Sequence, residues 1–217
     1  YLFLSPLMQD PPPLDEPSSV GQLTSKVVLV IMDGLRDDTS RIPGVMPVLN
    51  DLRARGAGAS MQSHPPSFSE PGYATILTGA WPDINDGPLF NLEYGEIPAI
   101  SQATLFSVTK TAGIGTAVSG YYWFEELIRQ DEVDRSFYTP GEDRLADREV
   151  VDAALPWVED PSIGFLLIHI DQIDYAGHHE GGPQDPAWNE AARRADDLLG
   201  EIVQRMDFQT NTLVVVS

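Results

Sequence analysis

Two uninterrupted apolar runs constrain this chain more than any other feature. Residues 26–33 read KVVLVIMD and residues 164–170 read GFLLIHI, with no alternation of polar and apolar side chains. A strand of that kind is buried on both faces, which is the condition of a parallel sheet covered by helices on either side. The intervening sequence has helical spacing. One helix is expected from 46 to about 57, through Val48, Leu49 and Leu52, ending at Gly56 and Gly58. Another opens at Pro71, carries Tyr73, Ile76 and Leu77, and closes at Gly79. Further helices are expected over 99–112, from Glu142 to about Val158, and over 188–206, where Ala191, Ala195, Leu198, Ile202 and Met206 share one face. Shorter strands are expected at 59–62, 114–118 and 213–216. Strands alternating with helices define an α/β fold with a largely parallel central sheet.

Composition narrows the function. The 217 residues are enough for one domain, or one with a small annex, and 42% hydrophobic content supplies its core. The chain has 33 acidic side chains against 13 basic ones, a net charge of −20. Such a surface repels polyphosphate backbones and anionic membranes, which excludes nucleic acid polymers as partners. Lys26 and Lys110 are the only lysines, and Asp outnumbers Glu, a balance that suits a salt-adapted source. Cysteine is absent, so disulfides, thiolate zinc sites and a cysteine nucleophile are excluded. No apolar stretch is long enough to span a membrane. Residues 1–25 form a proline-rich lead-in, with an apolar tip before a Pro/Asp/Ser run. It reads as the remnant below a signal or anchor segment, so an extracytoplasmic location is expected.

In open α/β sheets, ligands bind beyond the carboxyl ends of the strands. Three candidate groups lie there. Asp33 follows the first strand and precedes Gly34, so it could ligate a metal or simply cap the next turn. Ser69, in Pro-Ser-Phe-Ser69-Glu-Pro, is an ordinary helix N-cap by residue type. A hydroxyl there also faces free N–H groups able to hold a phosphoryl or sulfuryl group. Asp174 and His178 are four residues apart and could share one ion, the mixed oxygen and imidazole set suiting zinc or manganese; they could equally belong to a solvated turn. His64, His169 and His179 read as loop, strand and surface residues. Tyr121, Tyr122 and Trp123 could wall a substrate site, although an aromatic cluster after a strand more often belongs to the core.

Taken together, Asp33 in IMDG, Ser69 in PSFSEP with Ile76-Leu-Thr78-Gly79 behind it, and Asp174 to His178 in DxxGHxxGGP resemble the alkaline phosphatase superfamily. Within it, the nearest likeness is to type I phosphodiesterases, also called nucleotide pyrophosphatases. The glycosylphosphatidylinositol ethanolamine-phosphate transferases share much of the pattern. The resemblance runs over 27–217 and implies a three-layer sandwich, of which 26–217 would be the N-terminal portion of the catalytic domain. It implies Ser69 as nucleophile, passing through a phosphoseryl intermediate on a small phosphate ester. It also implies two divalent metals, zinc or manganese, with Asp33 and Ser69 on one and Asp174 and His178 on the other. Asn91, in Gly87-PLF-Asn91, would donate to a phosphate oxygen, although the stretch before Gly87 carries one extra residue.

In that family the strand TLVVVS continues into Asp-His-Gly, whose Asp and His join the first metal, and here Ser217 is the last residue. The expectation is therefore an N-terminal fragment truncated at its C-terminus, with incomplete metal shells and little activity alone. Three other functions compete. A sulfatase would need Arg where Tyr73 stands. A phosphoglycerate mutase lacks the P-S-x-S-x-P frame. A non-catalytic binding protein would have an incomplete site as its natural state.

Overall fold

The computed structural model describes residues 23–65, 67–141, 144–183 and 185–217. Most of the lead-in expected over 1–25, and the helix start expected at Glu142, lie outside the described residues. Five parallel strands form one sheet: β1 (Lys26–Met32), β2 (Gly115–Tyr121), β3 (Arg135–Thr139), β4 (Ile163–Ile170) and β5 (Asn211–Val216), in the order β3-β2-β4-β1-β5. Leu29 of β1 pairs in register with Leu167 of β4 on one side and Val214 of β5 on the other.

This placement explains the two apolar runs. Val28, Val30 and Met32 enter the core on one face of the sheet, and Leu29 and Ile31 enter the core on the other. In β4 the same division sends Leu166, Ile168 and Ile170 one way, and Phe165 and Leu167 the other. The first face is covered by α2 (Pro47–Arg55), α6 (Ala146–Glu159), α7 (Gln172–His179) and α8 (Pro186–Arg205), which contribute Leu49, Val150, Ile173 and Leu199 among others. The second is covered by α3 (Ser69–Thr78), α4 (Leu105–Thr111) and α5 (Trp123–Leu127), through Tyr73, Leu77, Phe106 and Phe124. A short helix α1 (Asp37–Ser40) follows β1. The result is the three-layer α/β arrangement expected from the sequence. No helix among the described residues is long and apolar enough to cross a membrane.

Local differences have local causes. Residues 59–62 form no strand, because all four side chains are exposed and have no face to bury. The edge strand β3 was not expected: it is five residues long and begins with the exposed Arg135 and Ser136. The helix expected over 99–112 is confined to α4. There Thr104 Oγ1 accepts the Ser107 N–H while Ser107 Oγ accepts the Thr104 N–H, a capping box that fixes its start. Helix α3 begins at Ser69, ahead of Pro71. A proline in the first turn removes an N–H that has no partner within the helix.

Candidate active site

Asp33 extends β1 past its last paired residue, its N–H donating to the Ile170 carbonyl of β4 at 2.9 Å. Gly34 then turns the chain with φ of 71°, and its own N–H returns to Asp33 Oδ1 at 2.8 Å. The other carboxylate oxygen accepts from two hydroxyls: Ser69 Oγ at 2.9 Å and Tyr73 Oη at 2.6 Å. Ser69 is therefore not the N-cap of α3. Phe68 occupies the cap position without a side-chain cap bond, and the Ser69 hydroxyl is turned toward the end of β1.

Asp174 and His178 lie on α7 and not in a turn, with Asp174 Oδ2 3.4 Å from His178 Nε2. Their spacing places them one helical turn apart on one face. Burial and the nearby Asp33 charge push the Asp174 carboxyl above its usual range. The start of α7 is held from a neighbouring helix of the same layer. Asp147, in the first turn of α6, accepts the N–H groups of Asp171 at 2.9 Å and Gln172 at 3.2 Å.

Asn91 lies on the long connection between α3 and α4. Its Oδ1 accepts the Glu70 N–H at 3.1 Å, so the side chain caps α3 from outside. The glycine before it is required by packing. A β-carbon on Gly87 would stand 2.4 Å from Ala74 Cβ of α3.

Three further residues complete the site, and single-residue patterns did not point to them. His169 is fully buried, and its Nε2 is 2.9 Å from Tyr73 Oη. Burial lowers its pKa to about 4 and keeps it neutral. Because Tyr73 donates to Asp33, Nε2–H of His169 donates to Tyr73, leaving Nδ1 as an acceptor without a partner. Asp171 is buried with Oδ1 unpartnered, and burial and the charges of Asp33, Asp174 and Asp147 raise its pKa well above the ordinary value. Asp33, His169 and Asp171 bring ligand atoms within 4.8 Å of one another. Glu70 is the third: it is fully buried, and burial pushes its carboxyl up to about 7. The available signals were a histidine inside an apolar strand, an acid at each strand end, and an acid between Ser69 and Pro71.

Asp33, Ser69, Asn91, Asp174 and His178 all line one cavity of about 820 Å³, in the size range of small-ligand clefts. Met61, Phe68, Trp81 and Phe90 line it too and are exposed, so a polar floor is bordered by an apolar rim. His64 is on this rim, its ring 5.2 Å from that of Trp81. His179 is exposed and stacks on Tyr175. Tyr121 is buried, accepting from Gln172 Nε2 and donating to Asp147, with Trp123 stacked on its ring. Tyr121 thus belongs to the core.

The donor set fits divalent cations. Three carboxylates, Asp33, Asp171 and Asp174, converge on the ends of β1 and β4. One buried oxygen lacks a partner, and the mutual repulsion of these groups is what a cation relieves.

The site is thus an acidic cleft at the strand ends of a three-layer sheet, with a hydroxyl at a helix N-terminus. The type I phosphodiesterase / nucleotide pyrophosphatase family matches residues 27–86 and 96–217, and the chain belongs to that family. Residues 87–95, which hold Asn91, fall between the two matched parts. The chain is 26% identical over 209 residues to human GPI ethanolamine phosphate transferase 2, catalytic subunit, covering 88% of this chain and 21% of the human protein. Phosphonoacetate hydrolase from Sinorhizobium meliloti has a similar fold, with a TM-score of 0.64 and 20% identity over 83% of this chain and 53% of its own. Human ectonucleotide pyrophosphatase / phosphodiesterase 5 gives a TM-score of 0.63 and 19% identity over 88% and 55% of the two chains. The chain thus spans little more than half the length of these solved relatives, and a smaller share of the curated one.

Proposed function

We propose that this chain supplies the nucleophile and the first ligands of two divalent cations in a phosphoric ester hydrolase of phosphodiesterase type. The observation that carries the proposal is the Ser69 hydroxyl, held 2.9 Å from Asp33 at the N-terminus of α3, inside the cavity that Asp174 and His178 also line. Asp33 and Ser69 would hold one cation, and Asp174 and His178 the other. Zinc or manganese suits this mixture of carboxylate and imidazole. When bound, such cations supply positive charge that makes a serine hydroxyl nucleophilic at neutral pH and stabilises the phosphoryl oxygens.

Ser69 Oγ forms the bond to phosphorus as the ester P–O bond breaks. The serine proton ends on water, and the departing alkoxide takes one from water. Water then attacks phosphorus, the Oγ–P bond breaks, and Ser69 recovers its proton. The N-terminal end of α3 favours the phosphoryl charge during both steps. Asn91 contributes its amide: with Oδ1 turned to the Glu70 N–H, its Nδ2 protons are left for a phosphoryl oxygen. The rim of Phe68, Trp81 and Phe90 suits an ester carrying an apolar or aromatic group.

A second acceptor is consistent with the same site. The likeness to the ethanolamine phosphate transferase favours transfer of the phosphoryl group from Ser69 to an alcohol in place of water. The test is the full-length protein and its Ser69→Ala variant, assayed on bis-p-nitrophenyl phosphate, p-nitrophenyl phosphate and p-nitrophenyl sulfate with and without added alcohol. Diester turnover lost in Ser69→Ala and on chelation supports hydrolysis, and an alkyl phosphate product supports transfer. Unchanged turnover in Ser69→Ala removes Ser69 from the mechanism, and dominant sulfate turnover makes the protein a sulfatase.

A further inference from the structure

The connection from Gly79 to Thr104 contains no helix or strand, yet Asn91 must stand at a fixed place beside Ser69. Its position is determined by acceptors that take its backbone N–H groups. Asn85 Oδ1 accepts the Gly87 N–H at 2.9 Å, and Glu126 of α5 accepts the Gly95 N–H at 2.8 Å. Between these points Glu70 ties the segment to α3 by two hydrogen bonds. Glu70 Oε1 accepts the Leu92 N–H at 3.0 Å, while the Glu70 N–H donates to Asn91 Oδ1 at 3.1 Å. One residue of the helix therefore holds two consecutive residues of the loop, one by its main chain and the other by its side chain.

We infer that Glu70 is a positioning residue for Asn91, fixing the amide against Ser69 by clamping Leu92. This rests on the proposed roles of Ser69 and Asn91. An acid in the first turn of a helix is commonplace on a surface, where it faces solvent and the helix dipole. Glu70 is instead fully buried, and its Oε2 has no partner. Burying a carboxyl with one oxygen unmatched is unfavourable, and the contact it makes in exchange is the one beside Asn91. What the site requires of Glu70 is an acceptor at Oε1, and a glutamine amide provides the same acceptor.

The test uses the full-length, metal-loaded protein, with kcat and KM on a diester and the inhibition constant for inorganic phosphate. Glu70→Met fills the volume without an acceptor, Glu70→Gln keeps the acceptor, and Asn91→Ala removes the amide itself. Glu70→Met should lower kcat by about 10–100-fold with little change in KM, and weaken phosphate inhibition, as expected for a misplaced donor. Glu70→Gln should restore most of both. In the double variant Glu70→Met/Asn91→Ala, the loss should be no greater than in Asn91→Ala alone, because the Glu70 side chain acts only by placing the Asn91 amide.

Wild-type kinetics in Glu70→Met, or losses that multiply in the double variant, overturn the inference. If Glu70→Met does not fold, Glu70→Gln still decides: a loss as large as that of Asn91→Ala means that charge matters and the acceptor does not. Failure of the underlying reading looks different. It would appear as turnover surviving in Ser69→Ala, or phosphate inhibition unchanged in Asn91→Ala, whatever the Glu70 variants do.

Discussion

Gly34 and Asp174 are in backbone contact: a β-carbon on Gly34 would stand 2.5 Å from Asp174 Cα and 2.6 Å from its nitrogen. The turn after Asp33 therefore passes directly against α7, and this approach sets the separation of the two acidic groups. Gly34 also has a φ of 71°, which side-chain-bearing residues adopt only with strain.

Gly34→Ala should thus fail twice. The positive φ alone costs about 1–3 kcal/mol, and relief of the clash displaces Asp174 and His178 from Asp33. The expected result is a lower melting temperature together with a loss of diester turnover and of cation binding. A variant that melts like the wild type and keeps its turnover would show that the contact does not set the site.

Tyr73→Phe tests the support of Asp33 from behind. The ring volume is kept, so the change removes only the hydroxyl between Asp33 Oδ2 and His169 Nε2. His169 is then left buried with a donor unpaired, which costs about 1–3 kcal/mol. Loss of a partner that orients a ligating carboxylate weakens cation affinity by about 10–100-fold in comparable sites. Calorimetric titration of zinc or manganese into the full-length variant measures this, and unaltered affinity would make Tyr73 a packing residue only.

The parts of the molecule legible in the sequence are those where a single rule dominates. Residues 27–32, VVLVIM, are apolar throughout because β1 is covered by helices on both faces of the sheet, so burial alone identifies it. Asp33, Ser69, Asp174 and His178 stood at element ends, where chemistry collects. The residues missed depend on two elements at once. His169 looks like any member of an apolar strand until α3 brings Tyr73 onto it, and Glu70 looks like a first-turn acid until the loop returns with Leu92. Strand β3 was illegible for a similar reason, since its five residues gain their pairing only from β2.

Asp196 gives a stability prediction separate from the site. It lies buried on α8, and its two oxygens accept the N–H groups of Val48 at 2.7 Å and Leu49 at 2.9 Å, capping α2 from 147 residues away. Pro47 at the start of α2 has no N–H to satisfy, and Met46 offers no cap, so Asp196 supplies what the local sequence lacks. Asp196→Ala orphans both donors and should destabilise by about 1–3 kcal/mol. No residue of α2 or α8 lines the cavity, so kcat and KM should be unchanged below the melting transition. A shift in either constant would imply that the packing of α2 on α8 is coupled to the site.

Asp147 links stability to pH through the helix that carries Asp174 and His178. Burial raises its carboxyl from 3.8 to about 6, opposed by the N–H groups of Asp171 and Gln172 and by the Tyr121 hydroxyl. A carboxyl with a raised pKa in the folded state is held more firmly by its proton there than in the unfolded chain. Its contribution to stability is therefore greatest below pH 3.8 and is lost as the pH rises through about 6. A shift of this size corresponds to about 3 kcal/mol. Asp147→Asn cannot titrate, so subtracting its unfolding free energy from that of the wild type cancels the carboxylates remote from it; Asp171, which the Asp147 charge pushes up, moves the difference in the same direction. The difference should move in favour of the asparagine variant by roughly that amount between pH 4 and pH 7, read from urea melts at fixed temperature. A difference that stays flat across this interval, or moves the other way, would mean that the three hydrogen bonds to Asp147 outweigh its burial.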